Sequence, residues 1–277
     1  MSSRIFVGYD GTPAAVAAVK WAVDEARLRA APLHIVTCYD IPVSADAIYG
    51  PPPHDDFETS FLAAKKIATE MQDAIMLQEP RLDVVVQVTA GSTAMELLAE
   101  AATRDVIVIG ASRHHGTRAV LFGGTGRELA RHQTCPLVVV RVPPTASPPT
   151  RVVVGVDGST RAASVVAWAA GEAQRRGVDL RVLHVWSAHD GRREKAAALL
   201  ESAADIARST PGVNVRTDLV ERSSELTFAD IVSSDELLVI GSHGRGRLSA
   251  ALFGSTVNNL IEQSPATVVL VPRQRSE

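Results

Sequence analysis

An internal repeat constrains the fold of this chain more than any other feature. Val7 to Thr12 reads Val-Gly-Tyr-Asp-Gly-Thr and Val154 to Ser159 reads Val-Gly-Val-Asp-Gly-Ser, an offset of 157 − 10 = 147 residues. The same offset aligns four further pairs, which are Trp21 with Trp168, Glu25 with Glu172, Arg29 with Arg176, and Leu33 with Leu180. Self-similarity on this scale predicts two copies of one domain, which suits a length of 277 residues.

The boundary between the copies is predicted at a proline-rich stretch. Residues 143–150 include Pro143, Pro144, Pro148 and Pro149, which fit neither a helix nor a central strand. We therefore assign residues 1–142 to the first copy and 151–277 to the second. Near the end of each copy the offset falls to 241 − 110 = 131, so the first copy holds 147 − 131 = 16 extra residues, mostly after Tyr39.

Apolar segments alternate with helical segments in both copies. Apolar residues make up 46% of the chain and aromatic residues only 4%, as in parallel sheets covered by helices. We expect a first strand before Asp10 and its counterpart before Asp157, each followed by a helix that Thr12 or Ser159 caps; Gly177 ends the second of these helices. The remaining strands are predicted over 33–39, 84–88, 106–109 and 137–140, and over 180–186, 213–220, 237–240 and 268–271.

A glycine-rich segment in the second copy has the composition of a phosphate-binding loop. The predicted strand 237–240 runs into Gly241-x2-Gly244-x9-Gly254-Ser255, and a helix is expected to follow. Glycines let backbone amides approach a ligand, and the start of a helix favours an anion. The alternative is a tight turn and a helix cap without a ligand. For Asp157 the two interpretations are a ribose-binding carboxylate and an Asx-turn that caps the next helix.

These residues resemble the universal stress protein family, whose ATP-binding members carry the signature G-x2-G-x9-G-[S/T]. The resemblance extends over nearly the whole chain, because each of the two copies carries it. It implies an adenine nucleotide alpha hydrolase-like fold, an α/β class with two tandem open parallel five-stranded sheets of order 3-2-1-4-5, flanked by helices. It also implies pairing through the last strand of each copy.

The resemblance further implies the residues that bind the cofactor. Asp157 and Gly241 would meet the ribose, and the backbone of Val185, which follows His184, would meet adenine. Gly244, Gly254 and Ser255 would hold phosphates. The remaining matched positions of the two motifs are also expected to bind, and they are Gly155 and Thr256 in the second copy and Gly8, Asp10, Gly110, Gly123 and Thr125 in the first.

The first copy departs from the signature. Arg113 stands at the position of the second glycine and Gly124 at the position of Ser255. An arginine there either fills the phosphate space or supplies a cation, and we expect the first. Thr125-x-x-Glu128 predicts a capping box at the start of the next helix.

The predicted function is binding of an adenine nucleotide by a stress-response or regulatory protein with little or no turnover. ATP is the expected cofactor, with or without Mg²⁺. The alternatives are a slow ATP hydrolase or adenylyl-transfer enzyme, and a structural module that binds no nucleotide. No catalytic residue is assigned, and His114 and His115 have no acidic partner at a metal-ligand spacing.

Composition and charge indicate which partners to expect. A net charge of −3 with both signs dispersed favours neither nucleic acid nor a membrane. Cys38 and Cys135 predict no disulfide framework. We expect a cytoplasmic protein that forms a homodimer or another homo-oligomer and acts on protein partners that the sequence does not identify.

Overall fold

The chain alternates strands and helices in both halves. The computed structural model describes residues 3–40, 54–113, 120–121, 123–141, 148–159, 162–186, 193–221, 231–242 and 261–272. The strands in this part of the chain are β1 Ile5–Gly8, β2 Leu33–Tyr39, β3 Val84–Ala90, β4 Val106–Arg113, β5 Val120–Leu121, β6 Leu137–Arg141, β7 Arg151–Gly155, β8 Asp179–Trp186, β9 Val215–Glu221, β10 Glu236–Gly241 and β11 Thr267–Val271. The helices are α1 Pro13–Arg29, α2 His54–Gln78, α3 Thr93–Glu100, α4 Gly124–His132, α5 Ala162–Arg176 and α6 Arg193–Arg208.

The main strands form one continuous sheet made of two parallel halves. Their order is β3-β2-β1-β4-β6 followed by β11-β10-β7-β8-β9. Pairing is parallel within each half. The halves join edge to edge where β6 runs antiparallel to β11 and Val138 lies opposite Val269. The predicted α/β class and the order 3-2-1-4-5 in each copy are thus confirmed.

The core is built from small aliphatic side chains, as the composition predicts. Ile5, Phe6 and Val7 of β1 are fully buried, and so are Val152, Val153 and Val154 of β7. Strands covered on both faces need no alternation of polar residues, which explains these continuous apolar runs. None of the described helices is both long enough and apolar enough to cross a bilayer.

Two of the predicted helix boundaries are confirmed and one is wrong. Thr12 caps α1 by accepting a hydrogen bond from the Ala15 amide, and Gly177 follows α5 at φ +65°. The capping box at Thr125 is wrong. The cap residue of α4 is Gly123, which makes no side-chain capping bond, and Thr125 lies exposed in the first turn.

A short hairpin strand, β5, is absent from the sequence prediction. It pairs antiparallel with the end of β4, with Arg113 opposite Val120 and Ser112 opposite Leu121. β4 therefore continues well beyond the residues 106–109 that we predicted. Two residues carry no periodicity that would distinguish a strand from a loop.

Four charged residues of α1 and α5 join the two halves of the molecule. We call Glu25, Arg29, Glu172 and Arg176 the interface cluster. Both carboxylates are fully buried. Arg29 contacts Glu25 in its own helix and Glu172 across the interface, at 2.7 Å. Arg176 contacts Glu172 at 2.8 Å and Glu25 across the interface. Each arginine thus bridges both carboxylates.

Aromatic rings and a third arginine complete this cluster. The guanidinium of Arg29 lies 5.7 Å from the ring centre of Trp168, and that of Arg176 lies 5.3 Å from the ring centre of Trp21. The arrangement has the two-fold character that the repeat predicts. Arg175 breaks the symmetry because it contacts Glu172 alone, at 2.7 Å.

Candidate functional site

The strand order places one crevice in each half of the sheet. In the second half the chain proceeds from β7 to β8 and β9 on one side, and then to β10 and β11 on the other. Such a reversal opens a crevice at the carboxyl ends of the two central strands, here β7 and β10. Asp157 follows β7 and Gly241 ends β10, so two of the predicted residues lie at this crevice.

Asp157 uses only one of its carboxylate oxygens within the described structure. Oδ1 accepts a hydrogen bond of 2.9 Å from the Ser159 amide, across Gly158 at φ +72°. This is the Asx-turn that the sequence left as one of two interpretations. Oδ2 is buried and has no hydrogen-bond partner among the residues that the structure describes. Such an oxygen loses its hydration without compensation, so a donor bound here would be stabilising.

Val185 directs its backbone groups toward the same crevice. The Val156 amide donates to the Leu183 carbonyl at 2.9 Å, which turns the backbone groups of Leu183 toward β7. Because successive residues of a strand address opposite neighbours, the N–H and C=O of Val185 also face β7. The last paired residue of β7 in this register is Gly155, opposite Leu183. Val185 therefore lies beyond the ladder, with its backbone groups free of β7.

Gly241 occupies the corresponding position on the other side. The Ser242 amide donates to the Val271 carbonyl at 3.0 Å, so Ser242 faces β11 and Gly241 faces β7. The described pairing of β10 with β7 ends at Val239 opposite Val154. Gly155 ends β7 between these two strands. Four predicted positions thus surround the crevice, while Gly244, Gly254, Ser255 and Thr256 lie outside the described residues.

The first copy uses the equivalent aspartate differently. Asp10 is exposed, and its Oδ1 accepts from both the amide and the hydroxyl of Thr12, at 3.0 and 2.6 Å. Thr12 in turn caps α1. This carboxylate has the local turn role, and its exposure leaves it without the desolvation found at Asp157.

The glycines of the first copy have structural roles. A Cβ built on Gly110 would lie 2.1 Å from the Ala14 carbonyl oxygen, so the strand touches the first turn of α1. A Cβ on Gly8 would lie 3.2 Å from the Thr93 methyl carbon. Gly123 caps α4, and no atom of the described residues lies within 4 Å of a Cβ built there. Close packing alone therefore requires glycine at position 110.

Residues 112–113 of the first copy, which belong to the corresponding loop, form part of the β4–β5 hairpin. Arg113 is the position of the missing second glycine, and it pairs with Val120. In the phosphate-binding interpretation the backbone amides of this segment would point at the ligand. Pairing with β5 instead holds Ser112 and Arg113 in an antiparallel hairpin, which supports the expectation of a damaged cradle.

His184 is a residue at the crevice that the sequence analysis did not assign. Its Nδ1 lies 2.6 Å from the carbonyl oxygen of Val156, the residue before Asp157. The only signal for His184 in the sequence was that it directly precedes Val185.

Comparison with known proteins identifies chains that are similar to this one over nearly their whole length. The sequence profile of the universal stress protein family matches residues 1–141 and 149–272. A universal stress protein of Mycolicibacterium smegmatis is 30% identical over 290 residues, covering 98% of this chain and 97% of that protein. One from Mycobacterium tuberculosis is 29% identical over 294 residues, with coverage of 98% and 97%.

Solved structures share the fold over the whole chain. A universal stress protein from Archaeoglobus fulgidus aligns with a TM-score of 0.76 and 16% identity, covering 100% of this chain and 98% of that one. A structure from Pseudomonas aeruginosa described as a putative universal stress protein gives 0.63 and 15%, with coverage of 98% and 94%. Identities this low establish the fold alone.

Proposed function

Because the chain belongs to the universal stress protein family, we propose that its second copy binds an adenine nucleotide, with ATP as the expected ligand. The role we assign is regulatory: nucleotide binding changes the surface that the protein presents to its partners, and turnover is not required.

One observation carries the proposal, the buried and unpartnered Oδ2 of Asp157. A ribose presents two neighbouring hydroxyl donors, and a carboxylate accepts from such donors with both oxygens. A phosphate would be repelled by the same group. The orphaned oxygen therefore fits the ribose of a nucleotide and disfavours an anion at this point of the crevice.

The other residues would hold the rest of the nucleotide. The backbone of Val185 faces the crevice beyond β7, where its N–H and C=O can pair with the edge of an adenine ring. Gly241 faces the crevice from β10 and would lie beside the ribose. We assign the phosphates to Gly244, Gly254, Ser255 and Thr256, on the spacing of the signature.

Calorimetry on the full chain tests this assignment, with ATP as the probe and with Mg²⁺ present or absent. Gly244→Arg places a side chain where the phosphates should meet the backbone. The loss of two charge-assisted hydrogen bonds, each worth about 1.5–3 kcal/mol, should weaken binding at least about 100-fold. Gly124→Arg is the control, because a Cβ on Gly124 in the first copy meets no atom of the described residues within 4 Å; it should leave the affinity unchanged.

Mass spectrometry of the native protein complements the titration by detecting nucleotide that co-purifies. If the folded wild type binds no adenine nucleotide, or if Gly244→Arg binds ATP as tightly as the wild type does, the proposed site is wrong. A turnover assay on the loaded protein separates binding from hydrolysis.

A further inference from the structure

The imidazole of His184 ties the end of β7 to β8. His184 is half-buried, and its Nδ1 lies 2.6 Å from the Val156 carbonyl oxygen. A carbonyl oxygen only accepts hydrogen bonds, so Nδ1 carries a hydrogen and donates it. Val156 is the residue directly before Asp157. A side chain of one strand thus holds the backbone from which the candidate ribose-binding carboxylate projects.

Three contacts together fix this turn. The amide of Val156 donates to the Leu183 carbonyl at 2.9 Å, and its carbonyl accepts from His184. The Oδ1 of Asp157 accepts from the Ser159 amide at 2.9 Å. Both backbone polar groups of Val156 are therefore bound to β8. These hydrogen bonds restrain the backbone and the Asp157 side chain in the free protein.

The first copy has the backbone contact without the side-chain contact. The Tyr9 amide donates to the Val36 carbonyl at 2.9 Å, as Val156 does to Leu183. Thr37 stands at the position of His184, since 184 − 37 = 147. Its hydroxyl is buried without a hydrogen-bond partner in the described part of the chain. The carbonyl of Tyr9 thus has no side-chain donor from this position of β2, and Asp10 is exposed.

We propose that His184 is a positioning residue for Asp157, which it orients toward the ribose of the nucleotide through the Val156 carbonyl. The inference rests on the proposed function. The free protein already holds the carboxylate in place, so binding loses less conformational entropy at this turn and the affinity is higher. This gain applies only to ligands that contact Asp157. A ligand with phosphates and no ribose should be insensitive to His184.

Two substitutions of His184 test the inference in the full chain. His184→Thr copies the first half of the molecule and removes the donor. His184→Asn keeps a donor, because the side-chain amide nitrogen of asparagine can take the place of Nδ1. We expect His184→Thr to weaken ATP binding about tenfold, the effect of one hydrogen bond, and His184→Asn to restore most of the affinity.

Inorganic triphosphate is the second probe in the same calorimetric experiment. Its affinity should be the same for wild type and both His184 variants. Thr37→Val, in the first copy, is the control and should leave the affinities for ATP and for triphosphate unchanged. The inference is overturned if His184→Thr binds ATP as the wild type does, if ATP and triphosphate weaken equally, or if His184→Asn fails to restore binding. A wild type that binds neither probe overturns the proposed function itself.

Discussion

At the scale of single residues, the two carboxylate oxygens of Asp157 have different surroundings. One oxygen makes the Asx-turn with Ser159, and the other is buried without a partner in the described structure. The sequence could identify this aspartate, because Asp157 recurs at the position of Asp10. It could not distinguish the two aspartates, since the burial of Oδ2 in Asp157 and the exposure of Asp10 depend on the surrounding fold.

Asp157→Asn should separate stability from binding. The amide keeps the turn acceptor and removes a buried charge that lacks compensation, so the free energy of unfolding without ligand should rise by about 1 kcal/mol. The affinity for ATP should fall about tenfold, because one ribose acceptor is lost. Urea unfolding and calorimetry measure the two effects. A variant that is less stable without ligand would mean that the carboxylate has a structural partner.

Gly110 belongs to the nucleotide signature in sequence, and yet the structure gives it a packing role. Gly110→Ala would bring a methyl group to 2.1 Å from the Ala14 carbonyl oxygen. We expect α1 to shift and the free energy of unfolding to fall by about 1–3 kcal/mol. Gly124→Ala is the control, because its methyl group meets no described atom within 4 Å, and it should be neutral or slightly stabilising. Equal stabilities of the two variants in urea unfolding would contradict this packing role.

At the scale of elements, long apolar strands were predictable and short-range pairing was not. The strand Leu33–Tyr39 has the predicted bounds, because apolar runs between helices identify buried parallel strands. The hairpin strand β5 escaped prediction, since Val120 and Leu121 become a strand only by pairing with the end of β4. This pairing constrains the backbone at Ser112 and Arg113, whichever side chain stands at position 113.

This distinction predicts the behaviour of Arg113→Gly. The substitution restores the second glycine of the signature in the first copy and leaves the β4–β5 pairing possible. In an Asp157→Ala background, which removes the proposed ribose contact of the second copy, we expect no ATP binding to be gained. Calorimetry on the double variant measures this. Newly acquired binding would mean that the arginine side chain was the obstacle.

At the scale of the whole molecule, the interface cluster couples the two copies electrostatically. Burial and the neighbouring Glu172 carboxylate raise the pKa of Glu25 to about 7, despite Arg29 and Arg176. Burial acts on Glu172 as well, but Arg176, Arg29 and Arg175 together lower its pKa. The repeat aligned these residues in the sequence. Their contacts across the interface could not be predicted, because they require the relative placement of α1 and α5.

The raised pKa of Glu25 predicts how stability depends on pH. In the folded protein Glu25 keeps its proton up to about pH 7, while in the unfolded chain it loses the proton near pH 4.5. Its stabilising contribution is therefore full below about pH 4.5 and is lost as the pH rises to about 7. Glu25→Gln should flatten the dependence of the unfolding free energy on pH in this window.

Leu28→Arg tests why the pKa of Glu25 is raised while that of Glu172 is lowered. Leu28 stands where Arg175 stands in the second copy, since 175 − 28 = 147, and it is 39% exposed. An arginine there can contact Glu25 as Arg175 contacts Glu172, which should lower the pKa of Glu25. Urea unfolding between pH 4.5 and 7 should then show that the unfolding free energy changes less with pH than it does in the wild type. An unchanged slope would exclude the third arginine as the cause.

The stoichiometry of ATP binding to the full chain tests most directly whether the second copy alone binds the nucleotide. Calorimetry should give one site per chain, whose affinity falls at least about tenfold in Asp157→Ala and is unchanged in Asp10→Ala. Of these two aspartates, only Asp157 has a buried side-chain oxygen without a partner in the described structure. Two sites per chain, or one site whose affinity falls in Asp10→Ala and is unchanged in Asp157→Ala, would contradict binding by the second copy alone.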